Sequence, residues 1–150
     1  MSLVGRGREV LVYDKIVLGV DGSDQAGRAA EQARDLARLA GGEVRVVHVV
    51  EGGAYGGRAG LFPAEQTPEA TELVDGVVAS LAAEGVKATG MVGRALAGRV
   101  AAVLADEARA QGAQVIVLGS RGLGGFSGLV MGSVTHKVLH LAPCPVLVVR

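Results

Sequence analysis

The sequence contains no tryptophan, two tyrosines, two phenylalanines, four prolines and a single cysteine. One cysteine cannot close an internal disulfide, so nothing ties the chain to an oxidising compartment, and a reducing cytoplasm is the expected location. The scarcity of aromatic rings argues against an electron carrier that stacks a flavin. Charge of one sign is missing too. Fifteen basic residues balance fifteen acidic ones, and no run of like charges stands out. The electrostatic footprint of a duplex-binding or membrane-surface protein is therefore absent. No apolar stretch approaches the ~18–20 residues of a membrane span, and the first residues lack the apolar segment and cleavage site of a secretory signal. Residues 1–14 read as an N-terminal extension ahead of a single domain over 15–150.

What is abundant is valine, leucine, alanine and glycine. Val, Leu, Ile and Phe together supply 45 of 150 residues, enough for a core without staples. Lys15 to Val20 is a short apolar run of buried-strand length. It ends at Asp21-Gly22-Ser23, a turn in which Ser23 can cap a helix. Ala26, Ala29, Ala30, Ala33, Leu36, Ala37 and Ala40 follow at helical spacing until Gly41-Gly42. Val44 to Val50 is almost continuously apolar and β-branched, as in a parallel strand covered on both faces. Gly52 to Phe62 holds five glycines in eleven residues and reads as a loop. Thr67-Pro68 opens the next helix, with Thr67 as its cap, and Ala70, Leu73, Val74, Val77 and Leu81 form the buried stripe. Val86 to Val92 is a weaker strand. A third helix carries Leu96, Val100, Val103, Leu104 and Ala108 on its inner face and stops near Gly112. Val115 to Leu118 is a fourth strand, Ser133 to Leu141 a fourth helix and Pro145 to Val149 a last strand.

This β-α-β-α-β-α-β-α-β alternation predicts an α/β domain: one open, five-stranded parallel sheet with helices on both faces, a flavodoxin-like sandwich. In such sheets ligands bind beyond the carboxyl ends of the strands, at the switch point. Attention therefore falls on the tips of the first, second and fourth strands. Gly119-Ser120-Arg121-Gly122, nine residues, then Gly132-Ser133 forms the pattern G-x-x-G-x9-G-[ST], starting where a strand ends and finishing where a helix begins. Its physical reading is an anion cradle. Glycines let backbone N–H groups approach phosphate oxygens, and a helix N-terminus favours negative charge. Ser133 and Thr135 would add hydroxyl donors. The bland alternative is a flexible loop. Asp21 reads either as a ligand contact at the switch point or as the end of a strand and a helix cap, and Arg121 as a phosphate contact or a solvated side chain.

These residues resemble the universal stress protein family, in its ATP-binding branch. The resemblance runs from Lys15 to Val149. It includes Gly19-Val20-Asp21-Gly22-Ser23, His48-Val49, Gly119 to Gly122, Gly132-Ser133-Val134-Thr135 and the closing Pro143-Cys144-Pro145-Val146-Leu147-Val148-Val149. It implies a strand order of 3-2-1-4-5 and dimerisation through the last strand. By the same resemblance Gly19, Val20 and Asp21 lie beside an adenosine, and Val49 offers its backbone to the adenine edge. Gly119, Ser120, Arg121 and Gly122 wrap the ribose and phosphates, while Gly132, Ser133, Val134 and Thr135 hold the phosphates. The implied cofactor is ATP, with Mg²⁺. Arg94-Ala95-Leu96-Ala97 departs from relatives that carry a proline there, and Gly52 to Gly60 falls in a variable region to which no role transfers.

No catalytic residue emerges. There is no G-x-x-x-x-G-K-[ST] and no G-x-S-x-G. His136 and His140 stand four apart without a visible third metal ligand. His48 reads as a histidine satisfied at a strand end, and Cys144, between two prolines, as packing rather than nucleophile. The expected function is an ATP-binding stress or signalling switch with little or no hydrolysis. The alternatives are a slow Mg²⁺-dependent ATP hydrolase and a nucleotide-free dimeric interaction module. No nucleic-acid or membrane partner is expected.

Overall fold

The structure, a computed structural model, describes residues 13–52, 68–122 and 131–150. The elements alternate as expected: β1 (Lys15–Gly19), α1 (Asp24–Ala40), β2 (Glu43–Gly52), α2 (Pro68–Ala83), β3 (Lys87–Leu96), α3 (Val100–Gln111), β4 (Val115–Gly119), α4 (Ser133–Leu141) and β5 (Val146–Val149). All strand pairs are parallel, in the order β3-β2-β1-β4-β5. β1 lies in the middle, with Ile16 between Val44 of β2 and Val115 of β4.

The two faces of the sheet carry separate cores, which is why β1 from Ile16 to Leu18 and β4 from Val115 to Leu118 are apolar at consecutive positions. On one side Ile16, Leu18, Val44, Val46 and Val117 meet α1 and α2 through Ala26, Ala29, Ala33, Ala37, Val74 and Leu81. On the other, Val17, Val47, Ile116 and Leu118 meet α3 and α4 through Ala101, Leu104, Ala108 and Val138. The inner stripe of α1 is all alanine, so this helix can lie close to the sheet. Ser23 caps it by accepting from the Ala26 N–H at 3.1 Å, and Gly41 ends it with φ 68°, a conformation glycine adopts without the penalty a Cβ would bring. Opposite α1, the half-buried Arg45 of β2 bonds Glu107 of α3 at 2.8 Å, fastening a helix to a strand away from the carboxyl edge.

Three boundaries differ from the sequence reading. β2 extends to Gly52 and β3 to Leu96, because the two strands continue to pair from Val49↔Gly93 through Gly52↔Leu96. Leu96 is thus a strand end, 52% exposed, and not part of the buried stripe of α3, which starts at Val100. Tyr13 packs against the α1/α2 core and the Asp14 carbonyl accepts from the Glu43 N–H at 2.9 Å, so both residues are built into the domain. The expectations for residues 1–12, for the loop at 53–62 and for Thr67 as a helix cap lie outside the described residues. Among the described residues no helix is long and apolar enough to cross a membrane.

Candidate functional site

At the carboxyl edge of the sheet, where the strand order reverses between β1 and β4, the described residues enclose a cavity of about 870 Å³. That lies within the ~300–1,000 Å³ of small-molecule sites. Gly19, Val20 and Asp21 come from the end of β1, Val47, His48, Val49 and Glu51 from β2, and Leu118, Gly119, Arg121 and Gly122 from β4 and its continuation. Val100 and Leu104 of α3 supply an apolar wall, and Met131 to His136 supply the start of α4. Eleven of the twelve residues singled out from the sequence line this one cavity, all but Ser120.

Ser120 is placed differently from the expectation. Its N–H donates to the Val149 carbonyl at 2.6 Å and its own carbonyl accepts from the Gly132 N–H at 2.8 Å. It is a backbone link between the end of β5 and the start of α4. Thr135 lines the cavity, but its hydroxyl donates to the Gly119 carbonyl at 2.8 Å. Buried at 5% exposure, it anchors α4 to the tip of β4, where the sequence reading had an added donor for phosphate.

These links fix the first turn of α4. Gly132 is its cap residue and no side chain caps it. The helix's first internal bond runs from the His136 N–H to the Gly132 carbonyl at 3.0 Å. The N–H groups of Ser133, Val134 and Thr135 therefore have no intrahelical acceptor, and they carry the positive end of the helix dipole beside the cavity. Ser133 is exposed. A nine-residue helix held by the Thr135 and Ser120 bonds presents three donors already oriented for an anion.

Three of the glycines also meet a packing constraint within the chain. A Cβ on Gly119 would come within 2.8 Å of Gln25 Cβ and 3.0 Å of the Gln25 backbone in α1, and one on Gly19 within 2.4 Å of Leu118 Cδ2. On Gly122 it would meet the Asp21 carboxylate at 2.3 Å. These glycines allow β1, β4 and α1 to converge at the switch point. A Cβ on Gly132 would make only ordinary contacts, at 3.5 Å from Arg121 Cα and Ser120 O.

Asp21 sits between its two sequence readings. One carboxylate oxygen accepts from the Ser23 N–H at 3.0 Å and from the Ser23 hydroxyl at 2.5 Å, bracing the residue that caps α1. The same side chain borders the cavity. Val20 donates its N–H to the Val47 carbonyl at 2.9 Å, and the Val20 carbonyl pairs with His48 Nδ1 at 2.8 Å. That bond satisfies His48 at a strand end, as its position suggests, with Nδ1–H donating to the carbonyl. Glu51 accepts from the Gly98 N–H, and Lys137 of α4 donates to the Gly98 carbonyl at 3.4 Å. The β3–α3 turn is thereby tied to both β2 and α4.

Nine residues of this wall are not among the twelve, and three of those nine, His48, Glu51 and His136, are ionisable. His136 has a sequence signal, since it lies three residues beyond Ser133 on the same helical face. Glu51 has none, because the sequence reading ended its strand one residue earlier. Burial pushes the Cys144 thiol up from its ordinary range, with a backbone hydrogen bond from Ile116 acting weakly against it, which suits a packing role. No cluster of three or more metal-binding side chains occurs among the described residues.

The sequence model of the universal stress protein family matches residues 12–150. A universal stress protein of Thermus aquaticus is 38% identical over 141 residues, covering 93% of this chain and 100% of its own. One from Bacillus subtilis is 29% identical over 158 residues, again covering 93% of this chain and 100% of its own. Among solved structures, the universal stress protein from Archaeoglobus fulgidus in complex with dAMP aligns with a TM-score of 0.71 and 30% identity, over 93% of this chain and 99% of that one.

Proposed function

The chain belongs to the universal stress protein family, and from that membership we propose that it binds an adenine nucleotide, ATP with Mg²⁺, in the cavity at the carboxyl edge and works as a nucleotide-dependent stress or signalling switch. The observation that carries the reading is the start of α4: three backbone N–H groups without intrahelical acceptors, locked in place beside a cavity of about 870 Å³. The A. fulgidus relative, solved with dAMP, supports an adenine nucleotide over other anions.

In this reading the amides of Ser133, Val134 and Thr135, with the Ser133 hydroxyl, hold the phosphates. Arg121 and the backbone of Gly119 and Gly122 border the ribose and phosphates. Gly19, Val20 and Asp21 lie beside the adenosine, and the Val49 backbone faces the adenine edge. Mg²⁺ enters with the nucleotide as its counter-ion. Little turnover is expected, because phosphoryl transfer needs a positioned water or base and Asp21 already braces Ser23 while His48 holds Val20. Hydrolysis slower than about one per minute would set the protein far below the ~1–1,000 per second of typical enzymes. The working form is a homodimer joined through β5.

Mass spectrometry of small molecules released from the purified protein is expected to find intact ATP. Calorimetry is expected to give a Kd in the micromolar range, about −8 kcal/mol, weakened in Ser133→Ala and Asp21→Ala. Absence of any adenine nucleotide affinity would dismiss the reading. Single-turnover release of phosphate, lost in a variant that still binds ATP, would make the protein an enzyme.

A further inference from the structure

We infer that His136 is a ligand-contacting residue that reads the charge of the bound phosphates, so that the site holds a polyphosphate more tightly as pH falls through the imidazole range. The inference rests on the nucleotide reading and adds a residue and a form of regulation to it.

Among the described residues, the cavity wall carries the carboxylates of Asp21 and Glu51 and the guanidinium of Arg121. The described wall thus offers a nucleotide's phosphates, beyond the counter-ion they bring, two negative groups and one positive. The further ionisable groups on the described wall are two imidazoles, His48 and His136. His48 is committed through Nδ1 to the Val20 carbonyl, at the adenosine end.

His136 lies at the phosphate end. It follows Ser133 by three residues, one turn on, so the two share a helix face. The Cα–Cβ bond of a helical residue tilts toward the helix N-terminus, which directs this ring back over the uncapped turn. His140, one turn further on, packs edge-on against it, with ring centroids 4.9 Å apart and planes at 74°. Lys137, the other charged neighbour on α4, is turned to the Gly98 carbonyl. The facing part of α3 is apolar, Val100 and Leu104.

A cation in the first turn of a helix opposes the helix dipole, so a protonated His136 is favoured there chiefly when an anion sits in front of it. Proton and ligand are then mutually stabilising, and each strengthens the binding of the other. Imidazole is the side chain that changes charge between pH 5 and 8. The sign follows: phosphate affinity gains as pH falls from 8 to 6. For a partly exposed charge pair a few ångströms apart the gain is about fivefold.

The test is calorimetry with Mg²⁺–ATP and with adenosine at pH 8 and pH 6, on the wild-type protein, His136→Gln and His136→Lys. Running the proteins side by side makes the ligand's own protonation common to all. The expected result is a wild-type ATP affinity that gains about fivefold on His136→Gln between pH 8 and 6. His136→Lys should bind ATP tightly at both values, and adenosine affinity should be alike in all three. Equal pH dependence in wild type and His136→Gln, or an adenosine affinity that falls together with that of ATP, overturns the role of His136 and leaves nucleotide binding standing. A wild-type protein that binds neither ligand overturns both.

Discussion

At the scale of single residues, the glycine pattern at this site carries a steric constraint that its spacing does not show. Gly119 is glycine because α1 begins on top of it, with Gln25 within about 3 Å of where a Cβ would stand. At Gly122 a Cβ would meet the Asp21 carboxylate. Gly119→Ala should therefore overpack the α1–β4 contact and cost about 1–3 kcal/mol of stability, measured by urea denaturation. A variant as stable as the parent would show that α1 can shift at no cost. Gly132 belongs to a different class, since a Cβ there meets only ordinary contacts. The motif was legible in sequence as a set of glycines at a strand end. The two causes could not be told apart there, because the Cβ clashes involve Gln25 and Asp21, about a hundred residues away along the chain.

At the scale of elements, the helices and strands followed from periodicity and punctuation. The alanine stripe of α1, the Ser23 cap and the Gly41 stop all form as the sequence predicts. The length of β3 did not follow. It runs on to Leu96 because β2 offers partners up to Gly52, and strand length is set by the neighbour as much as by the strand's own residues. At the other end of these strands Glu43 joins three elements, 3.2 Å from Lys87 of β3 and 3.6 Å from Lys15 of β1. The Lys87 hydrogen bond, ahead of the Coulomb attraction of both lysines, holds the Glu43 carboxyl below its ordinary 4.5, with desolvation opposing. A carboxylate whose folded value is depressed contributes stability that is present above the ordinary value and lost as pH falls through the folded one. The side chains are exposed, so the contribution is a few tenths of a kcal/mol. Glu43→Gln should be less stable than wild type by that amount at pH 7, and the gap should close by pH 3 in paired urea titrations. A gap that persists at pH 3 would assign it to packing.

At the scale of the whole molecule, the sheet has two edges of unlike character. β3 starts with a lysine and carries Arg94, features that discourage edge pairing, whereas β5 is Val-Leu-Val-Val with Leu147 39% exposed. An uncovered apolar edge invites a second strand, and this is the physical ground for the proposed dimer. Light scattering should return twice the 15.1 kDa chain mass, and Leu147→Lys should return the single mass while remaining folded by circular dichroism. A wild-type protein that stays monomeric at high concentration would end the proposal.

The amino-acid sequence by itself determined the order of elements, the parallel sheet and the strand tips at which a site would form. Those features follow from local periodicity, caps and the short connections of an alternating α/β chain, all written within a few residues of where they act. The tertiary structure alone decided which groups face the cavity. Thr135 turns its hydroxyl to Gly119 and Ser120 spends its backbone on Val149 and Gly132, while Glu51 and His136 join the wall. A hydrogen bond goes to whichever partner is brought near, and that nearness is set by the convergence of β1, β4, β5 and α4 at one corner of the sheet, between residues far apart in the chain.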